Sequence, residues 1–230
     1  MGGTRSGLGG ALAAISALCD GRSLALDCGS GLGGAAAELN QGFDRVLAFD
    51  VRPAFLTQIP RGSGLYPACA RAESLPLPDG CADLLLCMQS LHLFDLEAFV
   101  QEAHRVLRRG GIFAALCYGR HQVASEIDRA CEPYYAAVAP YWEPTYPLVM
   151  GGYAGLDLPF EEIAVPEALL ERRMNRKEFV GYLESWSASR RFKKRNGFLP
   201  MPRVPARLFG GAMAKTAVRW PVLGRAGRRV

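Results

Sequence analysis

The chain has 230 residues, half of them hydrophobic, with 27 basic and 22 acidic side chains and a formal net charge of +5. That size suits one α/β domain with an elaboration, and the apolar fraction is enough for a substantial core. No apolar run approaches the roughly 18 residues of a membrane span, and the glycine-rich stretch from Met1 to Gly10 lacks the charged and apolar regions of a secretory signal.

From the N-terminus, residues 24–27 read as a buried strand leading into a glycine turn, and residues 33–40 as a helix. A second strand over 45–50 ends in Asp50, and a short helix follows near 53–59. Strands near 65–69, 83–88 and 111–117 bracket a helix over 95–108, in which Leu96, Phe99, Val100, Ala103, Val106 and Leu107 recur at helical spacing behind a capping Asp95. This alternation predicts βαβ units and a parallel sheet. Residues 122–138 read as a helix, and four prolines within 139–160 exclude a long one there. Residues 160–165 read as a sixth strand. A helix is expected over 175–194, with Asn175 and Glu178 as a capping box and Phe179, Leu183, Trp186 and Arg190 on one face. Residues 216–222 read as a seventh strand. About 40 residues between the fifth and sixth strands exceed a simple crossover and predict a lid. The expected organisation is one domain over 1–230, with a cofactor-binding core at 20–120, a lid and elaboration at 121–215 and a last strand at 216–223.

The seven cysteines form no C-x-x-C pair, and there are only three histidines. This argues against a structural zinc site or metal cluster and for a reducing, cytoplasmic setting. Charge is unevenly spread: residues 1–170 hold 11 basic and 19 acidic side chains, residues 171–230 hold 16 and 3. The basic end contains Arg190-Arg191-Phe192-Lys193-Lys194-Arg195 and a tail with Arg225, Arg228 and Arg229. Such an end suits a polyanion, but aromatic interleaving is sparse. A solvated helix end and tail are the preferred reading, and nucleic acid is not the expected partner.

The chemistry concentrates in Leu24-Ala25-Leu26-Asp27-Cys28-Gly29-Ser30-Gly31-Leu32-Gly33-Gly34. Glycines serve where backbone turns tightly and approaches a ligand. An acid about 20 residues beyond, here Asp50, is placed for ribose hydroxyls. An adenosine-containing cofactor is therefore expected. Gly29, Gly31 and Gly34 satisfy the G-x-G-x-x-G spacing of dinucleotide sites. Asp27 discriminates: its carboxylate opposes a pyrophosphate and suits a cationic amino group.

The Leu26-Asp27-x-Gly29-x-Gly31-x-Gly33 pattern resembles the first motif of class I S-adenosylmethionine-dependent methyltransferases of the type 11 superfamily. Arg45–Asp50, Ala72-Glu73-Ser74-Leu75-Pro76, the stretch Asp83–Asp95 and Arg105-Val106-Leu107-Arg108-Arg109-Gly110-Gly111 are similar to later segments of that family, with Arg109 in place of the usual proline. Pro140-Tyr141-Trp142-Glu143-Pro144, Leu158–Ile163, Trp186-Ser187-Ala188 and Arg219-Trp220-Pro221 resemble the trans-aconitate methyltransferase-like branch. The chain departs from that branch at Leu93 and at Thr145-Tyr146, where relatives carry tryptophan and arginine, so an acidic acceptor is in doubt. About 23 residues precede the first strand, and a truncated segment or looser closure over the cofactor is expected.

The resemblance implies a Rossmann-like, seven-stranded α/β fold with a helical, aromatic lid inserted after the fifth strand. It implies S-adenosylmethionine as cofactor, with Asp27, Gly29 and Gly31 at the amino-acid end and Asp50 on the ribose. Val51 would lie beside the adenine, Ala72 and Glu73 at its edge, and Gln89 near the methyl-bearing centre. Methyl transfer is an in-line displacement that depends chiefly on positioning. His92 is the candidate base or substrate-positioning group, with packing or capping as the other reading. Tyr118, Tyr141, Trp142 and Tyr146 are expected either to line an acceptor pocket or to pack within the lid. The leading expectation is transfer to an oxygen of a small-molecule acceptor. The alternatives are a non-catalytic cofactor-binding scaffold, or an RNA-directed enzyme using the basic end. The latter is opposed by the absence of an Asp/Asn-Pro-Pro-aromatic segment and of a Pro-Cys pair.

Overall fold

A computed structural model describes residues 8–202, 204–211 and 214–230. The chain divides into two compact units. Unit one comprises Met1–Gly119, Leu148–Leu170 and Pro221–Val230, and unit two Arg120–Pro147 and Glu171–Trp220.

Unit one begins with helix α1 (Leu8–Ala17), strand β1 (Leu24–Cys28), α2 (Gly34–Leu39), β2 (Arg45–Asp50), α3 (Pro53–Leu56) and β3 (Leu65–Cys69). It continues through β4 (Ala82–Met88), a 3-10 turn at Leu91–Leu93, α4 (Leu96–Val106) and β5 (Leu107–Tyr118). Helix α5 (Ser125–Val138) lies in unit two and α6 (Tyr146–Met150) spans the division; β6 (Glu161–Ile163) and β7 (Leu169–Met174) follow. Helices α7 (Arg176–Glu184) and α8 (Ser187–Asn196) belong to unit two, and β8 (Thr216–Arg228), which begins in unit two and continues in unit one, ends the chain's regular structure.

The strands run in the order β3-β2-β1-β4-β5-β8-β6, with β7 also paired to β8. The first five are parallel, and β8 is antiparallel to both β5 and β6. The sheet has eight strands; seven were expected, and the addition is β7. Strands β1 and β4 are apolar almost throughout and buried, as parallel strands covered on both faces must be. Their alternation divides the core. Ala25, Leu84 and Leu86 pack with α1 and α2 residues such as Leu12, Ile15 and Leu39. Leu26, Leu85 and Cys87 pack with Phe99, Ala103 and Val106 of α4. Asp95 caps α4 as its sequence predicts, accepting from Ala98 N at 3.2 Å.

At the strands' opposite ends Asp83 accepts Ser23 N (2.8 Å), Leu24 N (2.9 Å) and Arg108 Nε (2.6 Å), joining β4 to the start of β1. These donors hold the Asp83 carboxyl below its ordinary range although burial opposes them.

Four elements differ from expectation. Helix α1 was not foreseen. Strand β8 runs on to Arg228, beyond the expected end near Val222. Gly224 and Gly227 in that extension are close-approach positions: a Cβ on Gly227 would sit 2.6 Å from the Phe160 Cβ, and one on Gly224 would collide with the Ala115 carbonyl. Strand β7 follows a proline-marked stretch that carried no strand signal. The helix over 175–194 is two helices, broken at Ser185 and Trp186. The Asn175–Glu178 capping box is present, but the Ser185 hydroxyl donates to the Tyr182 carbonyl at 2.6 Å. Trp186 is extended, and its ring packs among those of Tyr135, Tyr182 and His121.

Candidate cofactor site

The site lies where the parallel strands of unit one end. After β1, Gly29 N and Ser30 N both donate to the Phe49 carbonyl, at 2.8 and 2.9 Å, so the turn is fastened to the end of β2. Gly29 has φ +74°, and a Cβ there would sit 2.5 Å from the Ser90 Cβ. Ser90 in turn donates to the Cys28 carbonyl at 2.7 Å. Glycine is thus required by both conformation and space.

Asp50 is almost wholly buried and accepts four N–H groups. Its Oδ1 takes Arg52 N (2.9 Å) and Nε (3.0 Å), and its Oδ2 takes Gly31 N (3.0 Å) and Arg52 Nη2 (3.2 Å). Burial alone would raise its pKa, but the Arg52 and Gly31 donors hold it below the usual carboxylate range. Asp27 is the opposite case. It is 1% exposed, and neither carboxylate oxygen has a hydrogen-bond partner. Burial pushes its pKa up to about 7; the nearby Ala36 backbone N–H opposes the shift, and the charge on Asp50 adds to it.

A cavity of about 450 Å³ opens over these strand ends. It is lined by Gly29–Gly31, Asp50–Arg52, Ala70–Glu73, Met88–Ser90, Leu93 and Phe94. Of the expected site residues it brings together Gly29, Gly31, Asp50, Val51, Ala72, Glu73 and Gln89. Val51 and Leu93 are 58% and 66% exposed, so two large apolar side chains stay open to solvent at its wall. Glu73 accepts from Asp95 N at 3.0 Å, which ties the β3 loop to the α4 cap. Gln89 holds φ +59°, and its N donates to the Leu116 carbonyl at 2.8 Å. A left-handed non-glycine residue at a ligand cavity is local strain of the kind that clusters at functional sites.

Asp27, His92 and Tyr118 are not among the lining residues. His92 lies in the 3-10 turn beside Leu93, with Nδ1 3.2 Å from the hydroxyl of the fully buried Tyr153. Tyr118 ends β5, half-buried against the core, and burial raises its phenol pKa to about 12. Tyr141, Trp142 and Tyr146 belong to aromatic clusters in unit two. Trp142 stacks on Tyr146 at 4.0 Å, and Tyr141 packs on Phe192 and accepts from Asn196 Nδ2. The hub of that unit, which sequence reasoning did not single out, is His121. It bonds the Tyr135 hydroxyl at 2.6 Å and meets the rings of Tyr135, Phe179, Tyr182, Trp186 and Trp220. Burial, with Arg120 adding, lowers its pKa to about 4, so it is neutral near pH 7. Arg52 was also missed, since a cation two residues past the acid carries no motif.

Among the described residues no group of three or more His, Cys, Asp or Glu is placed to hold a metal ion, and no helix is long and apolar enough to cross a membrane. One acid is the penultimate residue of β1 and another ends β2, the first buried with both oxygens unbonded, which fits a cationic, ribose-bearing ligand and opposes a diphosphate.

A family model described as a methyltransferase domain matches residues 26–115. A solved structure described as a type II methyltransferase from Anaeromyxobacter dehalogenans is 33% identical with a TM-score of 0.90, covering 100% of this chain and 99% of that one. The chain belongs to the S-adenosylmethionine-dependent methyltransferases. Its cofactor is S-adenosylmethionine. Over 195 residues the methyltransferase is 27% identical to a Dictyostelium discoideum protein named as a methyltransferase, spanning 83% of this chain and 74% of the relative. A 99-residue stretch is 35% identical to the malonyl-[acyl-carrier protein] O-methyltransferase of Dechloromonas aromatica, spanning 41% of this chain and 36% of that enzyme.

Proposed function

We propose that this methyltransferase methylates an oxygen, carboxylate or hydroxyl, of a small-molecule acceptor, and that it works in the cytoplasm within a branch resembling trans-aconitate methyltransferase. The carrying observation is the lining that follows β4. Met88, Gln89, Ser90, Leu93 and Phe94 include no titratable side chain, so these lining residues themselves offer no group to take a proton from an amine or alcohol, and His92 lies outside the lining. That favours an acceptor oxygen that arrives already ionised. The O-methyltransferase named among the relatives supports oxygen as the atom.

The cofactor supplies a methyl carbon activated by an adjacent positive sulfur. The chain's residues position and desolvate. In this reading Asp50 accepts the ribose hydroxyls, and Val51 packs beside the adenine with Ala72 and Glu73 at its edge. The loop through Gly29 and Gly31 carries the amino-acid end, and Asp27 balances its positive charge from behind that loop's first glycine. Gln89 lies near the reacting carbon. Met88, Leu93 and Phe94 exclude water there, which strengthens every electrostatic contact. His92, steadied by Tyr153, positions the acceptor, and serves as base only if a hydroxyl arrives protonated.

Titration calorimetry with S-adenosylmethionine, with NAD as control, tests the cofactor assignments. A screen of small carboxylic acids and phenols for S-adenosylhomocysteine release tests the acceptor. Turnover confined to amines would refute the oxygen reading. The RNA-directed reading keeps one observation, that Lys193, Lys194 and Arg195 at the end of α8 form no ion pair with any described residue. A salt-sensitive gel shift with RNA, accompanied by RNA methylation, would favour it instead.

A further inference from the structure

The four N–H groups on Asp50 are of two kinds. Gly31 N and Arg52 N are backbone donors, fixed by the loop after β1 and by the turn into α3. Arg52 Nε and Nη2 belong to a side chain that is 55% exposed and whose guanidinium carbon lies 4.0 Å over the Phe55 ring. An ionised carboxylate offers about four acceptor sites, so these donors fill it. A ribose diol brings two hydroxyl donors of its own. Only the two side-chain donors can leave without undoing a turn, and Phe55 gives the released guanidinium an aromatic face to rest on.

We propose that Arg52 is a positioning residue that competes with the cofactor: its guanidinium holds and orients Asp50, and binding exchanges Nε and Nη2 for the ribose hydroxyls. The inference rests on the reading of Asp50 as the ribose acid. Its consequence is that Arg52 weakens the hold on methyl donor and demethylated product alike, which favours product release. Simple charge repulsion would behave differently. S-adenosylmethionine carries a net positive charge near pH 7 and S-adenosylhomocysteine none, so repulsion by Arg52 would weaken the first and spare the second.

Calorimetry on the full chain separates these cases, using both ligands against the wild type, Arg52→Met, Arg52→Lys and Asp50→Asn, with thermal melts confirming that each variant is folded. An ion pair with one exposed partner shifts an equilibrium by about fivefold at most. Arg52→Met is therefore expected to tighten both ligands by about that factor, with Arg52→Lys intermediate because an ammonium cannot bridge both oxygens. Wild-type affinity for S-adenosylhomocysteine should rise with added salt as the pair is screened, and Arg52→Met should lose that dependence. Weaker or unchanged binding by Arg52→Met, or tightening of S-adenosylmethionine alone, overturns the exchange while leaving Asp50 as the ribose acid if Asp50→Asn binds poorly. Unchanged affinity in Asp50→Asn overturns the ribose reading and the exchange together.

Discussion

Asp27→Asn separates the folding cost of the buried acid from its use. The side chain is 1% exposed with both oxygens unpartnered, and its pKa is about 7 against an ordinary 3.8. A carboxyl whose pKa is raised in the folded state binds its proton more tightly there than in the unfolded chain. Stability from this group is therefore full below about pH 4 and declines as pH rises toward 7, beyond which it levels off. At about 1.4 kcal/mol per pKa unit, the decline amounts to roughly 4 kcal/mol. Asn carries no titrating proton, so Asp27→Asn should gain on the wild type progressively over that range. The desolvation cost of a buried amide without partners is a constant offset at every pH, so it lowers the absolute stability of the variant without reducing the pH-dependent gain. Urea unfolding of both proteins at pH 5, 6 and 7.5 measures it, and the difference between the two is the informative quantity because His121 titrates in the same window with opposite sign. The same variant should bind S-adenosylmethionine more weakly, because the cationic amino group loses its counter-charge. A constant stability difference across pH, together with unchanged affinity, would refute both the buried-acid account and the placement of Asp27 behind the glycine loop.

Other substitutions probe the remaining supports. Gly29→Ala must place a Cβ 2.5 Å from that of Ser90 at φ +74°, so a loss of about 1–3 kcal/mol in chemical denaturation and of cofactor affinity in calorimetry is expected. Asp83→Asn weakens the joint between β4 and β1, far from the cavity lining. It should cost about 1–3 kcal/mol without moving the dissociation constant for S-adenosylmethionine. Since the folded Asp83 pKa is depressed, its contribution is present above the unfolded carboxylate pKa and is lost on acidification, and a pH series on the variant should lack that loss. His121 stays neutral down to about pH 4 in the folded chain against an ordinary 6.5. Its contribution is thus present above about 6.5 and lost as pH falls toward 4. All three tryptophans, Trp142, Trp186 and Trp220, lie in the same unit as His121, so their emission should report acid loosening that is reduced in His121→Gln. An unaltered acid transition in that variant would count against the aromatic hub.

The core of unit one was legible because its signals are local. Leu24–Cys28 and Ala82–Met88 are short apolar runs between breakers, and burial on both faces is what such runs demand of parallel strands. The positive φ of Gly29 and the Asp95 cap each express a constraint set within a few residues, so pattern and structure agree there. The amino-acid order also set the charge asymmetry and the identity of the acids near the ends of β1 and β2. Tertiary structure decided how those residues meet. Whether Asp27 is partnered depends on strands β2 and β4 beside it, and the hold of Arg52 on Asp50 depends on side-chain rotamers that no motif encodes. At the break Trp186 meets the rings of His121, Tyr135, Trp142 and Tyr182, most of them distant in sequence, and this packing overrode a helical period that was locally sound. Gly224 and Gly227 permit β8 to pass close to Ala115 and Phe160, contacts that only the folded chain brings about. Local sequence specifies what backbone each segment favours, whereas non-local packing selects which of those preferences survive.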